Sequence, residues 1–252
     1  MPSSIVTTCA EVYVPPAILK VGEAVYGYPT FGGGWADYVT VKEYEVAAKP
    51  KSLNFAEAAA VPMGALTAWQ ALVTTAKLHD GQTILIHGGS GGVGSFAVQI
   101  AKARGARVIA TASTANQDLL KQLGADVAID YTKTRFEDIA KDVDVVLDPV
   151  GKDTLARSYD VVKRGGVVMS IVARPDRAEL EKRGIHGAAI SVHPDAGDFA
   201  EIASLIDAGK IKPVVTQILP FNQANAIAAQ EQAETHHTRG KIVLQIAEEP
   251  KS

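Results

Sequence analysis

One glycine-rich run in the chain has the residue types and spacing of a phosphate-binding turn. It reads His87-Gly88-Gly89-Ser90-Gly91-Gly92-Val93-Gly94, in which Gly89, Gly91 and Gly94 fit the pattern G-x-G-x-x-G. Glycines at this spacing permit a tight turn, close approach of a pyrophosphate and close packing of a helix on a strand. The amides of a helix N-terminus then bind the anion, so the run indicates a dinucleotide site.

The sequence on both sides of the run supplies the strand and the helix that such a site needs. Four β-type residues (83–86) precede it, and apolar residues recur at helical spacing after it until Gly105 ends the helix. Further short apolar runs predict strands at 83–88, 107–112, 127–131, 143–149, 167–172 and 187–192. Helices are predicted at 92–104, 116–123, 135–141, 152–164 and 197–208. This alternation predicts a doubly wound parallel α/β sheet that binds its ligand at the carboxyl ends of the strands.

The two ends of the chain have a different pattern. Glycine and proline separate predicted strands at 24–28, 31–35 and 36–41, which suggest a small antiparallel unit. The stretch 55–76 is helical and apolar, and Pro62 divides it in two. The C-terminal part is predicted as a strand at 212–221, a helix at 222–236 capped by Asn222, and a strand at 241–246. We expect residues 1–18 to be poorly ordered.

The residues after the second predicted strand favour NADPH over NADH. An NAD site places an acid there to bind the ribose 2′-hydroxyl, but residues 110–117 contain no carboxylate and the first one is Asp118. The donors available to a 2′-phosphate are Ser113, Thr114 and Asn116, with Lys121 and Tyr131 further along the chain. The alternative for Lys121 and Tyr131 is an ordinary surface lysine and a strand-end tyrosine.

Composition excludes several classes of function. The net charge is −3 and there are no basic runs, so the chain has no electrostatic footprint for nucleic acid. Cys9 is the only cysteine, which excludes an internal disulfide and a multi-cysteine zinc site. No apolar run reaches the ~20 residues of a membrane helix. The first residues lack the pattern of a secretory signal, and a cytoplasmic location is therefore predicted.

Several segments together resemble the medium-chain dehydrogenase/reductase superfamily, and they are most similar to its zinc-independent quinone oxidoreductase branch. They are residues 58–72 (AAAVPMGALTAWQAL), the glycine turn, 123–126 (LGAD), 129–131 (IDY), 147–151 (LDPVG) and 239–244 (RGKIVL). The resemblance covers about residues 19–247. Compared with that family the chain looks shortened at its N-terminus.

The resemblance implies a Rossmann domain joined to a residual, incomplete GroES-like β domain. Its implied boundaries are a partial catalytic domain at 1–62, the dinucleotide domain at 63–212 and a returning segment at 213–252. It also implies hydride transfer from NADP(H) to a small quinone or enone, without a metal, and a possible homodimer through the strand at 188–192. Two alternatives stay open: a non-catalytic dinucleotide-binding protein, and an enoyl-reductase partner of a multienzyme synthase.

The resemblance carries site residues over position by position. The pyrophosphate would meet the turn residues Gly91, Gly92, Val93 and Gly94, and Gly89 and Ser90 of the same turn are further cofactor-binding candidates. Ser113 and Tyr131 would flank the 2′-phosphate, with Lys121 as a further candidate. The nicotinamide would lie among Thr67, Val150, Gly151 and Ile171, although Val150 and Ile171 could instead be core residues. No catalytic residue is assigned; Tyr26, Tyr28, Tyr38 and Thr67 are weak candidates, and packing between strands is the alternative for the tyrosines.

Overall fold

A computed structural model describes residues 5–6, 9–11, 19–235 and 237–247. The chain forms two compact units, one of Met1–Leu66 with Val192–Ser252 and one of Thr67–Ser191. Among the described residues, no helix is both long and apolar enough to cross a membrane.

Twelve strands and eight α-helices are described. The strands are β1 (Ile5–Val6), β2 (Cys9–Glu11), β3 (Ala24–Gly27), β4 (Val46–Ala48), β5 (Thr83–Ile86), β6 (Arg107–Ala112), β7 (Val127–Asp130), β8 (Val143–Asp148), β9 (Val162–Ser170), β10 (His186–Ala189), β11 (Val215–Pro220) and β12 (Lys241–Gln245). The helices are α1 (Phe55–Ala59), α2 (Pro62–Trp69), α3 (Gly94–Ala103), α4 (Gln117–Gln122), α5 (Lys152–Ser158), α6 (Arg177–Arg183), α7 (Ala196–Asp207) and α8 (Gln223–Glu234).

The unit of residues 67–191 contains a six-stranded parallel sheet in the order β10-β9-β8-β5-β6-β7. The chain runs outward from β5 to β7, then returns to the other side of β5 and continues from β8 to β10. This reversal creates a switch point between β5 and β8, where α/β sheets of this order bind ligands. The predicted doubly wound α/β sheet is confirmed.

The central strand β5 is apolar on both faces because helices cover the sheet on both sides. Ile84, Leu85 and Ile86 are fully buried, and so are their partners in β6 and β8. Helix α3 packs on β5 and β6 and buries Phe96 and Ile100. The glycine turn at 87–93 joins β5 to α3, as the sequence predicts.

Two predicted helices in this unit were wrong in part. The helix expected at 152–164 ends at Ser158, because Val162 pairs with Val143 and begins β9. A β-branched pair buried in the sheet outweighs the local helical pattern. The helix expected at 135–141 is only a 3-10 turn at Phe136–Asp138. The chain must then enter β8 through Asp142, whose φ of 49° is incompatible with a continuing helix.

The other unit contains two three-stranded sheets. One is antiparallel in the order β2-β3-β4 and the other is parallel in the order β1-β12-β11. Tyr26 on β3 is buried against Phe199 of α7, and its hydroxyl donates to the Phe199 carbonyl oxygen at 2.5 Å. Within residues 1–18 only β1 and β2 are described, so the expected poor order of the rest lies outside the described residues.

The strands predicted at 31–35 and 36–41 were wrong. Residues 28–42 form turns and bends without a strand. Gly32 and Gly33 have φ values of 82° and 92°, which interrupt an extended chain, and glycine also loses the most backbone entropy on ordering. The antiparallel unit is therefore built from β2, β3 and β4 instead.

The helical stretch after Asn54 is divided at Pro62, as predicted. Helix α1 ends at Ala59 and α2 begins at Pro62, where a proline has no hydrogen-bonded N–H to lose. Helix α2 continues into a π-helical turn at Gln70–Thr75 that packs against α3. The capping of α8 by Asn222 is also confirmed, since its side chain accepts a hydrogen bond from the Asn225 amide at 2.9 Å.

Candidate functional site

The glycine turn owes its shape to three glycines for which no larger residue has room or freedom. Gly88 has a φ of 56°, in the left-handed region. A Cβ on Gly89 would lie 2.8 Å from Leu120 Cδ2, and a Cβ on Gly94 would lie 2.2 Å from the Gly88 carbonyl oxygen. The tight turn thus depends on Gly88 together with Gly94, while Gly89 allows α4 to pack against the turn.

Gly91 differs from these glycines because a Cβ at its position would meet little of the surrounding structure. Apart from its chain neighbours, the one described atom within 4 Å of such a Cβ is the Gly88 carbonyl oxygen at 3.3 Å. A bound pyrophosphate could therefore approach the backbone here. This is the role that the pattern G-x-G-x-x-G gives its second glycine.

The N-terminus of α3 has the electrostatic properties of an anion site. Its N-cap, Val93, offers no side-chain hydrogen bond, and the first turn contains no acidic residue. Ser95 Oγ is buried and has no hydrogen-bond partner among the described residues. The Ser95 and Phe96 amides donate to the Gly91 and Val93 carbonyl oxygens, which leaves the amides of 92–94 for a ligand. These amides, the helix dipole and a buried hydroxyl donor together favour a phosphate group.

Strands β6 and β7 end side by side next to the turn. The Gly89 amide donates to the Thr111 carbonyl oxygen at 2.8 Å, and the Tyr131 amide donates to that of Ala112 at 3.2 Å. Ser113 follows β6 directly, and its hydroxyl oxygen accepts from Asn116 Nδ2 at 3.2 Å. The Ser113 hydroxyl proton therefore stays available, and the half-exposed Tyr131 lies at the end of the adjacent strand.

Asp130, the last residue of β7, places a carboxylate at this edge. Thr114 Oγ1 donates to it at 2.5 Å, Thr132 Oγ1 donates at 2.6 Å, and Lys133 Nζ lies 3.6 Å from it. Hydrogen bonds from Thr114 and then Thr132 hold the pKa of Asp130 at about 2. The carboxylate stays charged, but the Lys133 ammonium group offsets this charge. The Thr114 hydroxyl already donates to the carboxylate and is therefore not available to a ligand.

Lys121 lies on the exposed side of α4. Its ammonium group is 3.6 Å from the Asp118 carboxylate in the same helix. Surface pairs of this kind contribute little stability, so the side chain is free to change partners. Its predicted contact with a 2′-phosphate stays a prediction.

The ends of β8 and β9 form a second part of the same edge. Asp148 is buried, and its carboxylate accepts from the Val150 and Gly151 amides at 2.9 and 3.0 Å. Ser170 Oγ accepts in the same way from the Val172 and Ala173 amides at 3.3 and 3.2 Å. Burial raises the pKa of Asp148, although the amide hydrogen bonds act against this rise. Each strand end thus fixes the turn that follows it.

These two turns present apolar side chains beside the glycine turn. Val150 is 52% exposed and Val172 is 57% exposed, so Val150 is not a core residue. A Cβ on Gly88 would lie 3.8 Å from Val150 Cγ2, and one on Gly151 would lie 2.9 Å from Val172 Cγ2. The structure therefore brings Val150 and Gly151 to the glycine turn and adds Val172, a neighbour of the partly buried Ile171.

The weak catalytic candidates are more scattered. Thr67 is buried in α2, one turn before the π-helical segment that packs on α3. Tyr26 has a packing role, with its hydroxyl held by Phe199. Tyr28 is partly buried and Tyr38 is 92% exposed. A catalytic role for Thr67 or Tyr28 stays a prediction.

Sequence reasoning did not single out Thr111, Asp130, Asp148 or Ser170 as site residues. They share one detectable signal: each is a polar residue in the last three positions of a predicted buried strand. A parallel sheet brings such positions to one edge, where their side chains bond the backbone of neighbouring turns.

Comparison with known proteins now adds to this geometry. Residues 123–244 match a family model described as zinc-binding dehydrogenase. The 2-methylene-furan-3-one reductase of Solanum lycopersicum is 39% identical over 90% of this chain and 58% of its own length. The mitochondrial NAD(P)H oxidoreductase RTN4IP1 of Danio rerio is 34% identical over 92% of this chain and 68% of its own length.

A solved structure shows the same relationship in three dimensions. The quinone oxidoreductase from Coxiella burnetii superposes with a TM-score of 0.82 at 31% identity, over 91% of this chain and 74% of that one. The chain belongs to the medium-chain dehydrogenase/reductase superfamily. Within this superfamily it falls in the branch of quinone and alkenal/one oxidoreductases. It spans 58% to 68% of the length of the two curated relatives above.

The description of the family model implies zinc for some members of the superfamily. The residues that the structure describes contain no group of three or more His, Cys, Asp or Glu side chains that could hold a metal ion. A structural or catalytic zinc needs three or four such ligands. The described residues therefore do not fit a zinc ion.

Proposed function

We propose that this medium-chain dehydrogenase/reductase is an NADPH-dependent oxidoreductase that reduces a quinone, an enone or a similarly activated double bond. The observation that carries the proposal is the open backbone of Gly91 between the uncapped N-terminus of α3 and the exposed valines at 150 and 172. An anion site and an apolar platform at one sheet edge are what a phosphate-linked, ring-bearing cofactor requires.

Three groups of residues would hold the dinucleotide. The amides of 92–94, with Ser95 Oγ, would bind the pyrophosphate where it approaches the backbone of Gly91. Ser113 and Tyr131 would donate to the 2′-phosphate, with Lys121 and Lys133 as nearby cations. Val150, Gly151 and Ile171 would surround the nicotinamide, with Thr67 as a further candidate. When bound, the cofactor supplies the hydride, so the residues of this chain mainly orient it and exclude water.

The preference for NADPH follows from the charges at the ends of β6 and β7. Residues 110–117 contain no carboxylate to bind a ribose 2′-hydroxyl. Asp130, the acid at the end of β7, is engaged by Thr114, Thr132 and Lys133. A 2′-phosphate would meet hydroxyl donors and the Lys133 cation, which is the kind of partner that phosphates bind most strongly.

The substrate class is inferred from relatives whose names denote a methylene-furanone reductase and a quinone oxidoreductase. Both substrates carry a carbon–carbon double bond conjugated to a carbonyl group, and both accept a hydride followed by a proton. The proton would come from solvent or from a side chain such as Tyr28 or Thr67.

A two-stage experiment tests the proposal. Purified protein is titrated with NADPH and NADH by fluorescence, and the reduced cofactor is then mixed with a panel of quinones and enones. We expect NADPH to bind at least about tenfold more tightly than NADH, a difference of about 1.4 kcal/mol. We also expect at least one panel member to oxidise NADPH.

The panel also separates the proposal from its alternatives. Tight NADPH binding without turnover on any quinone or enone would favour a non-catalytic binding protein. Turnover only on acyl chains attached to a carrier protein would favour the enoyl-reductase partner of a synthase. Failure to bind either dinucleotide would reject the proposal and both alternatives together.

A further inference from the structure

A buried histidine between β5 and the glycine turn is not used by the proposed function. His87 is 1% exposed, and its ring packs edge-on against Phe136 at a centroid distance of 4.6 Å. Both ring nitrogens have partners: Nε2 lies 2.9 Å from Ser158 Oγ, and Nδ1 lies 3.4 Å from Thr111 Oγ1. The imidazole thus links the strand next to the turn with helix α5.

The direction of each hydrogen bond follows from the number of protons available. Ser158 Oγ lies 2.7 Å from the Thr154 carbonyl oxygen, which can only accept, so the single Ser158 hydroxyl proton points there. Ser158 must then accept from His87, which places a proton on Nε2. In a neutral imidazole the other nitrogen, Nδ1, is consequently an acceptor.

The same reasoning fixes the bonds on the other side of the ring. The Gly88 amide lies 3.2 Å from Thr111 Oγ1 and can only donate, so Thr111 Oγ1 accepts from it. The Thr111 hydroxyl proton is then directed at His87 Nδ1. Thr111 also accepts the Gly89 amide through its carbonyl oxygen at 2.8 Å. Thr111 therefore accepts hydrogen bonds from two successive amides at the start of the glycine turn.

We propose that His87, as the neutral tautomer protonated on Nε2, is a positioning residue of the dinucleotide site. It completes a one-directional chain of hydrogen bonds that runs from the Gly88 amide through Thr111, His87 and Ser158 to the Thr154 carbonyl oxygen. These hydrogen bonds orient Thr111 so that the glycine turn enters its left-handed conformation at Gly88. The positioning role rests on the proposed function, whereas the tautomer does not.

The charges around the ring agree with a neutral imidazole. Burial, followed by the nearby Arg157 cation, lowers the pKa of His87 to about 3, and the Glu137 carboxylate acts in the opposite direction. Arg157 and Glu137 are paired with each other at 2.6 Å, so their effects on the ring largely cancel. An imidazolium would also direct a second N–H at Thr111 Oγ1 and force its hydroxyl proton to turn away.

Nitrogen-15 NMR of the histidine side chains tests the tautomer without any cofactor. For His87 at pH 7 we expect a protonated Nε2 and an unprotonated Nδ1, with no titration down to pH 5. Protonation on Nδ1, or an ordinary titration near pH 6.5, would overturn the proposed chain.

Variants of Thr111 and Ser158, the two hydrogen-bond partners of the His87 ring, test the positioning role. Thr111→Val keeps the shape of the side chain but removes its oxygen, and we expect the Kd for NADPH to rise about tenfold. Ser158→Ala removes the acceptor for His87 on α5, and we expect a rise of about threefold. Thr111→Ser restores the hydroxyl and should recover most of the affinity.

Val162→Ala is the matched control, because Val162 is buried in the same core cluster as Phe136 but has no part in the chain. It should lower the midpoint of thermal unfolding without changing the Kd. If Thr111→Val and Ser158→Ala behave like this control, His87 is only a core residue. If the wild-type protein binds no dinucleotide, the proposed function fails, while the tautomer and the exchange rate of the Gly88 amide still test the chain.

Discussion

The glycine turn at 87–94 and the loop at 28–42 each contain a cluster of glycines, but they have different structures. The first joins a strand of the parallel sheet to a helix, and a Cβ on Gly88, Gly89, Gly91 or Gly94 would have a neighbouring atom within 4 Å. The second contains no strand and leaves Phe31 and Tyr38 87% and 92% exposed. A glycine cluster therefore acquires a defined shape from the elements that flank it. Where such elements are absent, glycine only interrupts the chain.

The same substitution in the two regions should give the largest contrast. Gly94→Ala places a Cβ 2.2 Å from the Gly88 carbonyl oxygen, and we expect it to cost about 3 kcal/mol of unfolding free energy. Gly32→Ala meets no atom within 4 Å and should cost about 1 kcal/mol, from its positive φ alone. Urea unfolding measures both. Equal losses would show that the turn is no more constrained than the loop.

A second substitution separates the fold of the turn from its binding role. Gly91→Val points a side chain into the space where the pyrophosphate would approach, while its Cβ has only the Gly88 oxygen nearby, at 3.3 Å. We expect the Kd for NADPH to rise about 100-fold, or about 2.7 kcal/mol, with little change in thermal stability. Unchanged binding would mean that the phosphate site has been assigned to the wrong segment.

The dependence of the unfolding free energy on pH should show the contribution of His87 at acidic pH. Its pKa is lowered from 6.5 to about 3 by burial and Arg157, with Glu137 opposing, so below pH 6.5 only the unfolded state binds its proton. The stability from this group is complete above pH 6.5 and falls by about 2 kcal/mol at pH 5. Glu137, with a pKa near 2, does not titrate in this window when folded.

The matched variant for this measurement is His87→Gln, which keeps a donor and an acceptor but does not titrate. Its unfolding free energy should change less between pH 6.5 and pH 5 than that of the wild-type protein. Parallel curves for the two proteins would contradict the assignment of a neutral, buried imidazole.

The smallest expected effect concerns the choice of dinucleotide. Lys133→Ala removes the cation beside Asp130, and we expect the Kd for NADPH to rise about fivefold while that for NADH stays the same. Lys141→Ala, another exposed lysine of this unit, is the control for a general loss of charge. Equal weakening of NADPH and NADH would place Lys133 away from the 2′-phosphate.

Much of the sheet could be predicted from the sequence, because buried parallel strands are short apolar runs with helices between them. The strands at β5, β6 and β8 and the helix after the glycine turn are confirmed nearly to the residue. Predictions were wrong where a tertiary partner decided the outcome. Val162 extends a sheet because Val143 lies opposite, and no local pattern records that pairing.

The candidate site could be predicted only in part. Its glycines follow from spacing, since each position has a local geometric reason. Asp130, Thr111 and His87 act through residues 16 to 71 positions away along the chain, and such bonds exist only once the sheet has brought the strand ends together. The predicted cofactor contacts stay predictions until binding is measured. The predicted domain boundaries also stay predictions.

Asp148 and Ser170 fix the backbone of the two turns that follow β8 and β9, whereas the exposed side chains of these turns do not. Each residue holds its own turn through main-chain amides, so the side chains at 150 and 172 contribute little to maintaining the backbone. Under the proposed function, substitutions at these two positions would therefore change the surface that contacts the reactant while both turns keep their backbone hydrogen bonds. Substrate selectivity would then change without a change in the backbone of the two turns.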